Sequence, residues 1–363
     1  MSMLKELLSR AVEKESSDIH IKTGQVPYFR IGTELIESGF ESVSLESATS
    51  IVKDLLPEHL KKTFDAEHEA DFSHYEEGAG RFRVNVFLSQ GWPVIAMRHV
   101  KDEIPTFDLL RLPVQIKALS EIQRGIVLLS GTTSSGKSTT LAAVIGEINR
   151  RYRRRIITIE DPIEYVFEDK ESLISQREVG LDTLNFTNAL KHVLRQDPEV
   201  ILIGEMRDRL SVRTALLAAE TGHLVMSTLH AGSADSAITR MLDIFPADEH
   251  DTIRFGIAEN LRVVVCQRLM HDTEGKLLPA VEIMINTPTV RTLIQKNQLE
   301  TLQAAVETGR EDGMLAFDQC IYDLIQSGLL SEEQGMLHAT NPESLRMNLK
   351  GIFLDESRRI LSS

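Results

Sequence analysis

Cysteine is nearly absent from this chain. Cys266 and Cys320 are its only two, far apart and without Cys-x-x-Cys spacing. That excludes a disulfide framework and a cysteine-based zinc site, and it fits a reducing cytosol. Long apolar runs are missing as well. None exceeds about five residues, against the ~20 that a membrane-crossing helix needs. Any work at a membrane therefore requires another protein to hold the chain there. The opening stretch MSMLKELLSRAVEKESSD is amphipathic and charged, with no apolar segment of the signal-peptide kind. Basic residues are the third shortage: 40 Lys and Arg stand against 54 Asp and Glu, a formal net charge of −14. Broad binding to nucleic acid needs basic surface, so no nucleic-acid partner is expected. The one strong basic run, Arg150-Arg151-Tyr152-Arg153-Arg154-Arg155, precedes an apolar run and reads as a solvated helix end and loop before it reads as a partner contact. There is no internal repeat or low-complexity tract.

The remaining composition, 42% hydrophobic and 26% charged over 363 residues, is that of a globular protein with two to three domains. In residues 3–13, Met3, Leu4, Leu7, Leu8, Ala11 and Val12 share one helical face. Ser17–Ile21 alternates as a strand does, and Tyr28–Ile31 and Thr33–Ile36 predict two short strands turning at Gly32. Residues 44–64 have helical period around Pro57. Ala70–Tyr75, Gly80–Leu88 and Val94–Val100 are strand candidates, parted by Glu76-Glu77-Gly78 and Gln90-Gly91. The first hundred residues thus predict an α+β domain with a mostly antiparallel sheet. Residues 101–120, with Pro105 and Pro113, predict a linker leading into a helix start. From there the texture changes. Predicted strands at 126–130, 155–160, 200–203 and 224–228 alternate with helical segments at 137–150, 186–194 and 211–219, which predicts a parallel α/β sheet over 121–363. The end, from about 288, reads as a smaller helical region.

Gly131-Thr132-Thr133-Ser134-Ser135-Gly136-Lys137-Ser138 fits G-x-x-x-x-G-K-[ST] in full, between a predicted strand and a predicted helix. Glycines let backbone N–H groups curl around phosphate oxygens, and the helix amino terminus adds positive potential. Thr133, Ser134, Ser135, Gly136, Lys137, Ser138 and Thr139 are the candidate nucleotide contacts. Lys137 would reach the β- and γ-phosphates of ATP, and the Ser138 hydroxyl would ligate Mg²⁺. Val200–Ile203 is an apolar strand followed by Gly204-Glu205. In a P-loop sheet such a strand is expected beside the P-loop strand, its terminal acid meeting the metal. Glu205 is one methylene longer than the usual Asp, so contact through water is expected. Ile156–Ile159 is a third strand, with Glu160, Asp161 and Glu164 at its exit. Glu164 can be aimed at the nucleotide by the turn at Pro162, whereas Glu160 and Asp161 would serve equally as solvated or capping residues. His223 and His230 bracket the apolar run Leu224–Leu229, roughly 20 Å apart. They cannot share a metal, and they read as satisfied strand-end residues or, functionally, as sensors at a subunit boundary.

Together these segments resemble the secretion-ATPase superfamily that powers type II secretion, type IV pili and related machines. GTTSSGKSTT is similar to its Walker A box, ITIEDPIEY to its aspartate box, DPEVILIGEMRD to its Walker B box and TGHLVMSTLHA to its histidine box, in the same order across residues 125–231. Weaker similarity includes SDIHIKTGQVPYFRI and GRFRVNVF. Within the superfamily the retraction branch of pilus ATPases is the nearer resemblance. Assembly ATPases carry a longer amino-terminal region and a four-cysteine zinc motif, neither of which is in this sequence. The retraction hallmark AIRNLIRE is matched only by Arg291, Leu293 and Ile294 in the stretch 289–296. That keeps open an accessory retraction ATPase beside the motor itself.

The resemblance implies a PAS-like amino-terminal domain (1–100), the linker, and a RecA-like ATPase domain (121–363) whose carboxyl-terminal part is helical. It implies a homo-hexameric ring in the cytoplasm, docked at an inner-membrane pilus platform protein, with a paralogous retraction ATPase as a further candidate partner. Glu164 and Glu205 would share the hydrolytic work with Lys137, and either could be the general base. Arg81, Arg83 and Arg98 match arginines that the family turns toward phosphates across or between domains. Read without the resemblance, they are equally salt-bridged strand residues.

Overall fold

The computed structural model describes residues 3–32, 34–100 and 103–352. Thr33, where the second short strand was expected to begin, residues 101–102 of the expected linker, and residues 353–363 of the helical end lie outside the described residues. The chain divides into two compact units. The first comprises Met1–Glu103, Asp161–Phe167 and Glu178–Leu184, and the second Ile104–Glu160, Glu168–Arg177 and Asn185–Ser363. Residues 104–120, read from the sequence as a linker, therefore group with the second unit.

The first unit contains α1 (Met3–Glu13), β1 (Asp18–Lys22), β2 (Tyr28–Ile31), β3 (Glu34–Glu37), α2 (Leu45–Leu55), α3 (Lys61–Glu67), β4 (Glu69–Glu76), β5 (Gly80–Ser89) and β6 (Trp92–Val100). Its six strands run in the order β3-β2-β1-β6-β5-β4, every pair antiparallel. Alternation decides which face is buried. Ile19, Ile21, Phe29, Phe82, Val84, Val86, Ile95 and Met97 form a core with Leu4, Leu7, Leu8 and Ala11 of α1 and Ala48, Ile51, Val52 and Leu55 of α2. The opposite face carries Asp18, Arg30, Arg83 and Arg98. Gly32 has φ 61, as the tight turn between β2 and β3 requires.

The second unit contains α4 (Phe107–Leu110), α5 (Val114–Ala118), β7 (Gly125–Ser130), α6 (Lys137–Arg151), β8 (Arg155–Glu160), β9 (Leu173–Glu178, its last residue counted with the first unit), α7 (Phe186–Val193), β10 (Val200–Ile203), α8 (Arg209–Glu220), β11 (Leu224–Leu229), α9 (Ala234–Asp243), α10 (His250–Asn260), β12 (Leu261–His271) and β13 (Leu277–Ile285). Five helices follow: α11 (Pro288–Gln295), α12 (Leu302–Thr308), α13 (Phe317–Gln326), α14 (Glu332–His338) and α15 (Pro342–Leu349). The sheet order is β13-β12-β7-β11-β10-β8-β9. From β12 to β8 the pairs are parallel, and β13 closes one edge antiparallel to β12. Every residue of β7, β10 and β11 is buried, which is why their sequences are continuous apolar runs. Among the described residues no helix is long and apolar enough to cross a membrane.

This order corrects one expectation. The strand that ends at Glu205 does not lie beside the P-loop strand, because β11 is inserted between β7 and β10. Both neighbours pair with β11 over their length.

One acid in this sheet is deeply buried. Glu282 of β13 is 1% exposed and accepts the backbone N–H of Ala234, the first residue of α9, at 2.8 Å. Burial pushes its carboxyl up to about 7. The Ala234 amide and Arg268 oppose that rise, and Asp235 and Glu307 add to it. Between the ordinary carboxyl range and pH 7 the folded chain therefore holds a proton that the unfolded chain has released. Stability contributed here is present at low pH and falls as pH rises through that window. Glu282→Gln should thus be more stable than the parent at pH 8, by up to about 3 kcal/mol, with the advantage gone by about pH 4.5. Urea midpoints of both proteins at the two pH values test this; parallel pH dependences would refute it.

Candidate functional site

The loop from Gly131 to Gly136 leaves β7 and enters α6 with hardly any space around it. A Cβ on Gly131 would stand 2.4 Å from the backbone oxygen of Gln267, and one on Gly136 would stand 2.7 Å from Gln267 Nε2. Both glycines, and Ser134, have positive φ. The first and last positions of the motif are thus glycine because β12 presses on the loop and because the chain turns left-handed there. No side chain caps the amino terminus of α6, where a helix offers N–H groups to an anion. Lys137 is buried, and its Nζ donates to the carbonyls of Gly131 (2.9 Å) and Thr132 (2.8 Å). The ammonium is therefore held in the hollow of the loop. Ser135 Oγ is buried there without a hydrogen-bond partner.

Gln267, a residue that sequence reasoning missed, holds this loop from behind. Its Nε2 donates to the Ser135 carbonyl at 2.9 Å, and its Oε1 accepts the Thr140 hydroxyl at 2.8 Å. One side chain thus ties the end of the loop to the second turn of α6. The only sequence signal was that Gln267, with Arg268, interrupts the apolar residues Val263–Cys266 and Leu269–Met270.

Glu205 sits just beyond β10, largely buried. Its Oε2 accepts Arg207 Nε at 2.6 Å and its Oε1 lies 3.3 Å from His230 Nε2. β11 positions both groups. Thr228 Oγ1 donates to the Gly204 carbonyl at 2.7 Å, and Met206 N–H donates to Thr228 O. On the other side, the Ser130 hydroxyl donates to Ala231 O at 2.8 Å and accepts Ala231 N–H at 2.9 Å, tying the base of the P-loop to the chain after His230. Lys137, Ser138, Glu205 and His230 therefore all lie at the carboxyl end of the sheet. His223 is at the other end of β11, where its Nδ1 contacts Thr221 Oγ1 (3.0 Å) and Ala218 O (2.9 Å) at the terminus of α8.

At that amino end lies a cavity of about 610 Å³ lined by Arg124, Tyr152, Arg153, Arg154, Glu199 and His223 among others. The basic run borders it but is largely matched. Arg150 pairs with Glu147, Arg151 with Glu121 and Glu147, and Arg153 with Glu171, while Arg154 donates to Ile122 O and lies over Tyr152.

The remaining candidates lie in the first unit. Glu164 is exposed and bonds to no described residue. Arg81 is engaged by the buried Glu178 at 3.3 Å, which also accepts Ile163 N–H. Arg83 and Arg98 are cross-strand partners in β5 and β6. Arg98 is held by Asp18, and the Arg83 side chain makes no hydrogen bond or ion pair to a described residue.

No cluster of three or more His, Cys, Asp and Glu able to hold a metal occurs among the described residues. A hydroxyl at Ser138 and a carboxylate at Glu205 are hard oxygen donors of the kind Mg²⁺ accepts when phosphate oxygens and waters complete its shell. They suit a metal that arrives with its nucleotide.

A family model described as Type II/IV secretion system protein matches residues 1–311. The chain is 39% identical to the type IV pilus retraction ATPase PilT of Pseudomonas aeruginosa over 93% of its own length and 98% of that protein's. To the type IV pilus ATPase PilU of the same organism it is 38% identical, over 95% and 91%. It superposes on a crystal structure of the pilus retraction motor PilT with bound ADP, with a TM-score of 0.88 and 37% identity over 95% of this chain and 99% of that one.

Gln267→Ala should leave the sheet intact but release the loop from its brace. Two hydrogen bonds at ordinary strength correspond to roughly a tenfold loss of nucleotide affinity. Titration with a fluorescent ADP measures it, and an unchanged Kd in a variant that melts normally would deny the loop its brace.

Proposed function

The chain belongs to the type II/IV secretion system protein family, and we propose that within it the chain is an ATP-hydrolysing motor of pilus retraction, working as a homo-hexamer in the cytoplasm against an inner-membrane platform protein. The observation that carries this reading is the P-loop itself, closed around a buried Lys137 and sharing its end of the sheet with Glu205. Lys137 and the loop amides of Thr133 to Thr139 hold the phosphates. Bound Mg²⁺ would neutralise charge on the β- and γ-oxygens, with Ser138 as its direct ligand and Glu205 meeting it through water. Glu164 polarises the attacking water, unless Glu205 takes that proton. His230 contacts Glu205 and is suited to report on its state; His223 serves as the second sensor at the opposite end of β11. Arg83, Arg98 and, when released from Glu178, Arg81 complete the site from the amino-terminal unit of a neighbouring subunit.

A second reading, an accessory ATPase that docks on a retraction motor, draws support from the nearly equal identity to PilU and from the altered stretch 289–296. Steady-state turnover by the purified chain separates the two: a motor turns over ATP alone, and an accessory does so only slowly until its partner ring is added.

Complementation tests the shared site. Lys137→Ala, and Arg83→Ala with Arg98→Ala, should each leave less than about a tenth of parental turnover. Mixed one to one, rings assembled at random pair an intact P-loop with intact arginines at about one interface in four, so turnover should rise above both parents. Mixed rings confirmed by sedimentation but no more active than their parents would count against arginines supplied by a neighbour.

A further inference from the structure

The face of the first unit's sheet away from its core carries a transverse row of charge. Cross-strand register places Arg30 of β2, Asp18 of β1, Arg98 of β6 and Arg83 of β5 side by side. Such neighbours have Cβ atoms about 5 Å apart, so three guanidinium groups share the row with one carboxylate. Asp18 sits between two of them. Its Oδ1 accepts Arg98 Nε at 2.8 Å, and its Oδ2 accepts the Ser17 hydroxyl at 2.8 Å and lies 4.0 Å from Arg30 Nε. The carboxylate is mostly buried, while the Arg98 side chain is 65% exposed. Burial would raise the Asp18 carboxyl, but hydrogen bonds from Arg98 and Ser17 and the Arg98 charge hold it below the usual carboxylate range. It therefore stays ionised wherever the protein works.

We propose that Asp18 is the positioning residue for Arg98: by taking the guanidinium through Nε alone, it fixes the side chain so that the Nη edge faces outward beside Arg83, as a paired clamp for a phosphate. This rests on the reading of Arg98 as a phosphate contact. A guanidinium has five donors in a rigid fork. The contact with Asp18 uses the one on Nε, and the Arg98 side chain makes no other hydrogen bond or ion pair to a described residue. The two Nη groups are the edge that pairs bidentately with phosphate oxygens. Without the carboxylate, repulsion from Arg83 and Arg30 would turn the long side chain away. With it, Arg98 and Arg83 stand side by side as two guanidinium groups, and the ligand class they suit is a multiply charged phosphate.

The test is a coupled set of variants in the full-length chain, assayed as assembled rings. Arg98→Ala should lower kcat, and Asp18→Ala should lower it about tenfold, since a misplaced group loses rate steeply, with KM for ATP changed less than threefold. Asp18→Asn, which keeps the shape and one acceptor, should fall between. In the Arg98→Ala background neither Asp18 variant should reduce kcat further. Multiplying losses, or a drop in melting temperature with equal rate losses in both backgrounds, would make Asp18 structural and overturn the inference. Parental kcat in both Asp18 variants would overturn it too. Parental kcat in Arg98→Ala would instead remove the phosphate role of Arg98 on which it rests. Should Asp18→Ala fail to assemble, the Asn variant alone carries the comparison.

Discussion

A phosphate-binding loop cannot hold its own shape when it is built of glycine, serine and threonine, because nothing in it is large enough to pack. Its conformation has to be imposed by what stands around it. Here the constraint is the contact between the loop and β12: Gln267 takes up both the carbonyl at the end of the loop and a hydroxyl on α6, and its backbone oxygen leaves Gly131 no room for a side chain. The two motif glycines and the glutamine are thus parts of one packing arrangement. That arrangement holds the ammonium of Lys137 against the loop's carbonyls, and the usefulness of every other polar group at this end of the sheet depends on it.

The same sheet explains how Glu205 and His230 meet. With β11 placed between β7 and β10, the P-loop and the Glu205 loop do not pair directly, and each is fastened to β11 by side chain–backbone hydrogen bonds from Thr228 and Ser130. Both loops are thus linked through the end of β11, which is where His230 stands. The contact of His230 with Glu205 follows from topology, and it gives a physical reason for a histidine one residue beyond a buried strand.

What was legible in the sequence was local. The P-loop is contiguous, and its strand and helix are announced by an apolar run and a 3.6-residue period; the antiparallel sheet of the first unit is announced by alternation and by turns at Gly32, Gly78 and Gly91. What was not legible depends on distance. Parallel strands joined by long crossovers leave no mark of their spatial order, so the place of β11 could not be read. The β12–β13 hairpin was missed because both faces of its strands are buried, which erases the alternation that marks a hairpin. Gln267 lies 127 residues beyond Thr140, and the pairing of Arg81 with Glu178 spans 97. Neither could be foreseen from spacing.

The proposed function asks for more positive charge around the reacting phosphates than the nucleotide loop itself supplies. Lys137 is the loop's own cation, steadied by the carbonyls of Gly131 and Thr132, whereas Arg207, the cation next to Glu205, is paired with that carboxylate. Hydrolysis spreads negative charge over the γ-phosphate oxygens as the bond loosens, and it is met best by donors not already neutralised. In the first unit Arg81 is matched by a buried acid and Arg98 is held only at Nε, while Arg83 meets no described acid at all. Among the described residues of the first unit, Arg83 and Arg98 are thus guanidinium groups whose side chains keep donors to offer. In the proposed ring these are the donors that a neighbouring subunit would add to Lys137, and assembly would then be a condition of turnover, as the complementation of Lys137 and arginine variants is designed to test.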